Sequence, residues 1–311
     1  MEYTSVVTLL NATRKLGRTL DDHVRTESER LWAQARRQSP AGAQCAFDLA
    51  YGPHGRHRLD VYYSPRQQEA PVLVFVHGGG FTGGDKRKPG GYTYQNLGTW
   101  AVSQGMVAVN ITYRLAPEAQ WPEAANDIAA ALRWVIENIA DFGGNPNAIV
   151  LMGHSAGAAH VADFLAITHQ RGKSVPEVRG AILVSGLYDI VSAGLRESVQ
   201  AYYGSDIRLH QERSSLHGLA GCSIPLLLVV AENEPALFHS QALHLAMSVV
   251  NRRGVMPMFL VLDDHNHFSE MHHLGSEDTR LAENVARFVV RVSGVGHAAG
   301  GRQPATDGAG V

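Results

Sequence analysis

Ala148-Ile149-Val150-Leu151-Met152-Gly153-His154-Ser155-Ala156-Gly157-Ala158-Ala159-His160 is the stretch from which the rest of the chain can be read. Five apolar residues in a row, without alternation, describe a strand buried on both faces. The small residues that follow, running on to Gln170, describe a helix packed close to it. Between the two lies G-x-S-x-G in the strand, turn, helix context of a nucleophile elbow. The glycines have a physical reason: the turn strains the serine backbone, and strand and helix approach only where neighbouring side chains are small. Ser155 Oγ then projects at the carboxyl end of a sheet, beside a helix N-terminus whose free N–H groups favour developing negative charge. A bare G-x-S-x-G is common by chance; the context favours a nucleophile over an inert turn.

Outward from the elbow, continuous apolar runs recur: VLVFVHG from Val72, MVAVNITY from Met106, AILVSGL from Ala181, LLLVVAE from Leu226 and MFLVLDD from Met258. Helical segments separate them at 92–104, 124–139, 156–170, 238–251 and 278–292. This alternation predicts an α/β class fold, a mostly parallel central sheet flanked by helices. Ahead of it, FDLAYG and RLDVYY flank Gly52, Pro53 and Gly55, a hairpin signal. Residues 1–45 carry helical spacing (Val6, Leu9, Leu10, Leu16, Leu20, Val24, Leu31), read as a packing helix or part of a cap. Residues 187–221 break the strand–helix rhythm as a cap insertion would. The tail 294–311 is small, polar and aperiodic, and is read as flexible.

His77-Gly78-Gly79-Gly80-Phe81 directly follows the strand at Val72. A serine nucleophile needs donors for the oxyanion of its tetrahedral intermediate, and glycine backbone exposes N–H groups without side chains in the way. The expected oxyanion hole is therefore Gly79, Gly80 and Ala156. A phosphate-binding reading is disfavoured because G-x-G-x-x-G and GK[ST] are missing.

With both motifs in this order, the chain resembles the α/β-hydrolase superfamily, in the esterase branch that holds hormone-sensitive-lipase-like carboxylesterases and kynurenine formamidases. Tyr113-Arg114-Leu115-Ala116-Pro117-Glu118, Trp121-Pro122, Asp127 and Leu132-Arg133-Trp134 look like the carboxylesterase stretch; Phe81-Thr82-Gly83-Gly84-Asp85-Lys86 and the GHSAGA elbow look more like the formamidases, since lipase-like members usually carry Asp before the serine. The resemblance covers roughly 46–293, the expected hydrolase domain, and implies an α/β-hydrolase fold with a small helical cap.

The other triad members follow the serine as acid, then histidine. Glu232 and Glu234 lie just past the Leu226 strand; Glu234 aligns with the family acid because Pro235 and Phe238-His239 match the formamidase-like continuation, and Glu232 competes. His267-Phe268 matches the family His-Phe, with His265 as fallback. A zinc cluster of Asp263, His265, His267, His272 and His273 is the competing reading, disfavoured because a serine elbow leaves the metal no role. His272 and His273 are expected at the surface. Asp127 is read as a buried structural carboxylate and Asp189 as part of a turn after Tyr188. Phe81, Leu187, Tyr188, Tyr202, Tyr203, Phe238 and Phe268 are candidate pocket residues, each also explicable as core.

Composition sets outer bounds. The 311 residues are 45% hydrophobic and 18% charged, with 27 basic against 29 acidic residues and a formal charge of −2, which gives no nucleic-acid-binding surface. Cys45 and Cys222 form no metal-binding spacing, no stretch approaches the roughly 18 apolar residues of a membrane span, and no targeting signal is legible, so a cytoplasmic protein is expected. No metal or organic cofactor is implied. The expected activity is carboxylesterase hydrolysis through an acyl-enzyme on Ser155, with Glu234 and His267. The alternatives are arylformamidase chemistry and a non-catalytic ligand-binding protein on a hydrolase fold. Partners are a small-molecule ester or formamide and, possible from the sequence, a second copy in a homodimer.

Overall fold

The computed structural model describes residues 5–35, 40, 42–88 and 91–294; most of the 294–311 tail therefore lies outside the described residues. One eight-stranded sheet, in the order β1-β2-β4-β3-β5-β6-β7-β8, organises the chain. Strands β1 (Gln44–Ala50) and β2 (Arg58–Tyr63) form the hairpin, and β2 joins β4 (Val107–Ile111) antiparallel. From β4 onward every pairing is parallel, through β3 (Ala70–Val76), β5 (Gly144–His154), β6 (Val178–Val184), β7 (Leu226–Asn233) and β8 (Met258–Asn266).

Strand β3 is buried at every position because helices cover both faces of the sheet. One face packs against α4 (Glu123–Asn138), α5 (Ala156–Gln170) and α10 (Ala236–Arg253), and the other against α3 (Gln95–Ser103) and α12 (Arg280–Ser293). All of these helices lie where apolar periodicity predicts them. Among the described residues, none is long and apolar enough to cross a membrane.

At the N-terminus, α1 (Val6–Leu16) and α2 (Asp22–Ala33) are separated at Gly17, whose φ of 84° suits glycine. Ser5 and Asp21 cap the two helices through their side chains. Trp32 is fully buried and donates to Thr13 Oγ1 at 3.0 Å, locking the helices together. Its ring lies against His265 and His273, so the pair is anchored beside the end of β8. The 187–221 stretch forms four short helices, α6 (Ile190–Ala193), α7 (Glu197–Tyr203), α8 (His210–Arg213) and α9 (Leu216–Gly221).

Candidate active site

In a parallel sheet the carboxyl ends of the strands converge on one edge, and the residues singled out in the sequence emerge there. His77 follows β3, Ser155 follows β5, Glu234 follows β7 and His267 follows β8. Ser155 has φ 55° and ψ −120°, a left-handed backbone that a non-glycine residue adopts only under constraint. The constraint is visible: a Cβ on Gly157 would lie 2.1 Å from the Val76 carbonyl oxygen, and one on Gly153 2.4 Å from that of Gly157.

Ser155 Oγ and His267 Nε2 are 2.9 Å apart, and His267 Nδ1 and Glu234 Oε2 are 2.8 Å apart. The carboxylate on Nδ1 sets the imidazole tautomer: Nδ1 carries hydrogen and Nε2 accepts the serine O–H. Glu234 and His267 are buried, whereas Ser155 is half-buried and opens to a cavity of about 600 Å³. Phe238 packs on the His267 ring at 4.5 Å. Burial pulls His267 down to about 3, which keeps it neutral and basic in form near neutral pH.

Glu232 is elsewhere: it is exposed and accepts the backbone N–H of Asp264. His265 is turned away from Ser155, with Nε2 on Asp278 Oδ2 and Nδ1 on Ser269 Oγ. The five residues of the zinc reading diverge: Asp263 is exposed, His267 faces Ser155 and Glu234, and His272 lies 3.5 Å from Thr93 Oγ1. Nitrogens and carboxylate oxygens do gather at His265, His273 and Asp278, but Arg280 already neutralises Asp278 through several short contacts. The surface expectation for His272 and His273 is corrected, since both are buried; α1 and α2 cover what would otherwise be an exposed helix start.

The glycine loop is built for close approach. A Cβ on Gly79, at φ 140°, would lie 2.1 Å from the Gly83 carbonyl oxygen, and one on Gly78 would lie 3.1 Å from Ser155 Cβ. Gly79 and Gly80 line the cavity together with Ser155 and His267, and Ala156 opens α5 beside them. His77 supports the loop from beneath. Burial lowers it to about 4, its Nδ1–H donates to the Gly78 carbonyl at 2.7 Å, and its ring stacks on Tyr113 at 4.5 Å.

Sequence reasoning missed a set of supporting groups. Tyr94 links the glycine loop to the elbow: Gly78 N–H reaches its hydroxyl at 3.4 Å, and that hydroxyl donates to His154 Nδ1 at 3.0 Å. His154 Nε2–H donates to the carbonyl oxygen of His267 at 2.9 Å. Ser185 and Glu270, neither singled out from the sequence, lie buried behind Glu234. Glu270 stands three residues after His267, a spacing that does not by itself signal burial beside the triad. Leu20, Asp22, Arg25 and Glu29 contribute to the cavity wall from the N-terminal segment.

Of the candidate pocket residues, Phe268 reaches the cavity wall. Phe81, Leu187, Tyr188, Tyr202, Tyr203 and Phe238 belong to the main core cluster. Asp127 is buried and accepts from Arg114, with His57 3.1 Å away; Asp189 caps α6.

An eight-stranded, mostly parallel sheet with a serine elbow after β5 and a histidine after β8 has the α/β-hydrolase fold. The comparisons agree on that class. The family model described as BD-FAE matches residues 59–205. The chain is similar to esterase LipQ of Mycobacterium tuberculosis, 32% identical over 60% of this chain and 46% of LipQ. It is also similar to kynurenine formamidase of Salmo salar, 24% identical over 79% of this chain and 83% of the relative. Esterase B from Lactobacillus rhamnosis has the same fold, with a TM-score of 0.71 at 18% identity, covering 94% of this chain and 97% of that one. These likenesses agree on the fold, and the relatives that share it are named as esterases and a kynurenine formamidase. The chain spans less than half the length of the first esterases it matches.

Proposed function

We propose that this chain is a serine hydrolase of carboxylic esters and that Ser155, His267 and Glu234 are its catalytic triad. The observation that carries the reading is the hydrogen-bonded line from Ser155 Oγ through His267 to Glu234, with the serine at the cavity wall. In the proposed mechanism His267 Nε2 takes the Ser155 proton as Oγ attacks the acyl carbon. The N–H groups of Gly79, Gly80 and Ala156 stabilise the oxyanion, and the imidazolium returns its proton to the departing alcohol. Water repeats the cycle on the acyl-enzyme. Glu234 orients the ring and stabilises its charged form.

The N-terminal segment and 187–221 serve as the cap. Four cavity-wall residues from the first support this, as does the second's approach to the glycine loop, where a Cβ on Gly80 would lie 3.8 Å from Ser198.

A formamide substrate is the second reading. His154 at the elbow and the long coverage of the Salmo salar formamidase favour it, and it uses the same residues. Steady-state rates on nitrophenyl esters of graded acyl length, measured beside N-formylkynurenine, test the assignment. Ester turnover with the higher kcat/KM is expected. Turnover of the formamide alone would move the chain to the second reading, and turnover of neither would contradict both.

A further inference from the structure

Behind Glu234 lies a second carboxyl that the triad does not use. Glu270, on the first turn of α11 (Ser269–His272), is fully buried, as is Glu234. Ser185, at the end of β6, stands between them: its Oγ is 2.9 Å from Glu234 Oε1 and 3.1 Å from Glu270 Oε2. A hydroxyl has one hydrogen to donate. If both carboxyls were ionised, one of these two contacts would set oxygen lone pairs against each other at a fully buried site.

The remaining contacts decide which carboxyl brings the missing hydrogen. Glu234 already accepts from the Ala231 N–H at 3.1 Å and from His267 Nδ1–H at 2.8 Å, so with Ser185 it has three donors and suits a carboxylate. Glu270 has a single further donor, His154 Nε2–H at 3.2 Å, which is shared with the His267 carbonyl. No arginine or lysine ion-pairs with either glutamate among the described residues. The other titratable groups around the pair are His239, 4.0 Å from Glu234, and the hydroxyls of Tyr94, whose ionisation Glu270 opposes, and Tyr188, whose ionisation both carboxyls oppose.

We propose that Glu234 and Glu270 hold one proton between them at neutral pH, that Glu270 carries it and donates to Ser185 Oγ, and that Glu270 is thereby the positioning residue that keeps Glu234 ionised. The proposal rests on the serine-hydrolase reading. Burial and the neighbouring Glu234 push Glu270 up, and burial also raises Glu234, as expected where two carboxyls share a site. The consequence falls on His267. Were the proton on Glu234 Oε2 instead, that oxygen would donate to Nδ1, and Nε2 would carry the ring hydrogen and be unable to accept from Ser155. Were both carboxyls charged at high pH, Glu270 Oε1, 3.8 Å from His267 Nδ1, would compete with Glu234 for the imidazole N–H.

The test is the kcat/KM pH profile of wild type, Glu270→Gln and Glu270→Ala, together with carboxyl infrared spectra and phosphonate labelling of Ser155. Wild type should lose activity on the alkaline side. Glu270→Gln, whose amide donates to Ser185 at every pH, should keep kcat within about threefold at pH 7 and lack that alkaline limb, whereas Glu270→Ala should lose at least about tenfold throughout. Wild type at pH 7 should show a neutral-carboxyl stretch that is missing from Glu270→Gln. An unchanged alkaline limb and an unchanged spectrum in Glu270→Gln would overturn the proposal. Should Glu270→Gln not fold, Ser185→Ala gives the same decision: a shifted neutral-carboxyl band supports the pair, and an unshifted one overturns it. Failure of wild type to take the phosphonate would instead strike the underlying serine-hydrolase reading.

Discussion

His154 Nε2–H donates to the backbone carbonyl of His267 at 2.9 Å, so the residue before the elbow serine holds the loop that carries the imidazole. Tyr94 extends the same connection to Gly78 in the glycine loop. His154→Phe keeps the bulk and removes the hydrogen bonds to Tyr94, to the His267 carbonyl and to Glu270. A misplacement of about 1 Å at a reacting centre costs roughly 10²-fold, so kcat should fall by about that factor with KM little changed and the circular dichroism spectrum intact. A loss confined to KM would argue against a positioning role.

Two glutamates flank the end of β7, and their surroundings separate them. Glu234 is fully buried against His267 Nδ1, while Glu232 is exposed and bonded to the Asp264 backbone. Glu234→Gln should lower kcat by about 10³–10⁴-fold, because the imidazolium loses its orienting charge, and Glu232→Gln should change it by less than about threefold. Steady-state kinetics on one ester measures both, and the reverse ranking would transfer the acid to Glu232.

How much of this was legible in the sequence follows from the range of each signal. Apolar runs and the strand–turn–helix context of Ser155 are local, and they marked β3 to β8 and the elbow because strands covered on both faces need unbroken apolar stretches. The pairing of His267 with Glu234 over His265 and Glu232 came from family likeness, since spacing alone left each choice open. Ser185 and Glu270 were not legible. Their role depends on a contact between residues 85 apart, and neither residue type signals burial. His272 and His273 were misjudged for a similar reason: a helix start looks exposed until α1 and α2 are known to cover it.

The pH dependence has a defined sign. His267 acts as a base only when neutral, and burial sets its value below the ordinary histidine value of about 6.5. The neutral form therefore persists to lower pH than for a free imidazole. Activity should be largely retained at pH 6 and fall only as pH drops further. Because protonation is harder in the folded state than in the unfolded chain, the same group should destabilise the fold as pH falls below about 6.5. Rates and urea midpoints measured from pH 4 to 8 check both; an acid limb centred above 6.5 would contradict the role of burial.

Gly157 ties the elbow to β3 by close approach. A Cβ there would lie 2.1 Å from the Val76 carbonyl oxygen and 2.5 Å from that of His77. Both are backbone atoms, which cannot rotate away. Gly157→Ala should cost at least about 1–3 kcal/mol, the usual range for overpacking, visible as a lower urea midpoint with an unchanged m-value. A midpoint equal to wild type would mean that α5 is free to shift.

The central claim is that Ser155 is the nucleophile, and an organophosphonate probe followed by peptide mass spectrometry tests it directly. The expected result is one covalent adduct per chain on the peptide containing Ser155, no adduct on Ser155→Ala, and loss of about 10⁶ in ester turnover by that variant with its fold intact. An adduct on another residue, or near-normal turnover by Ser155→Ala, would contradict the account.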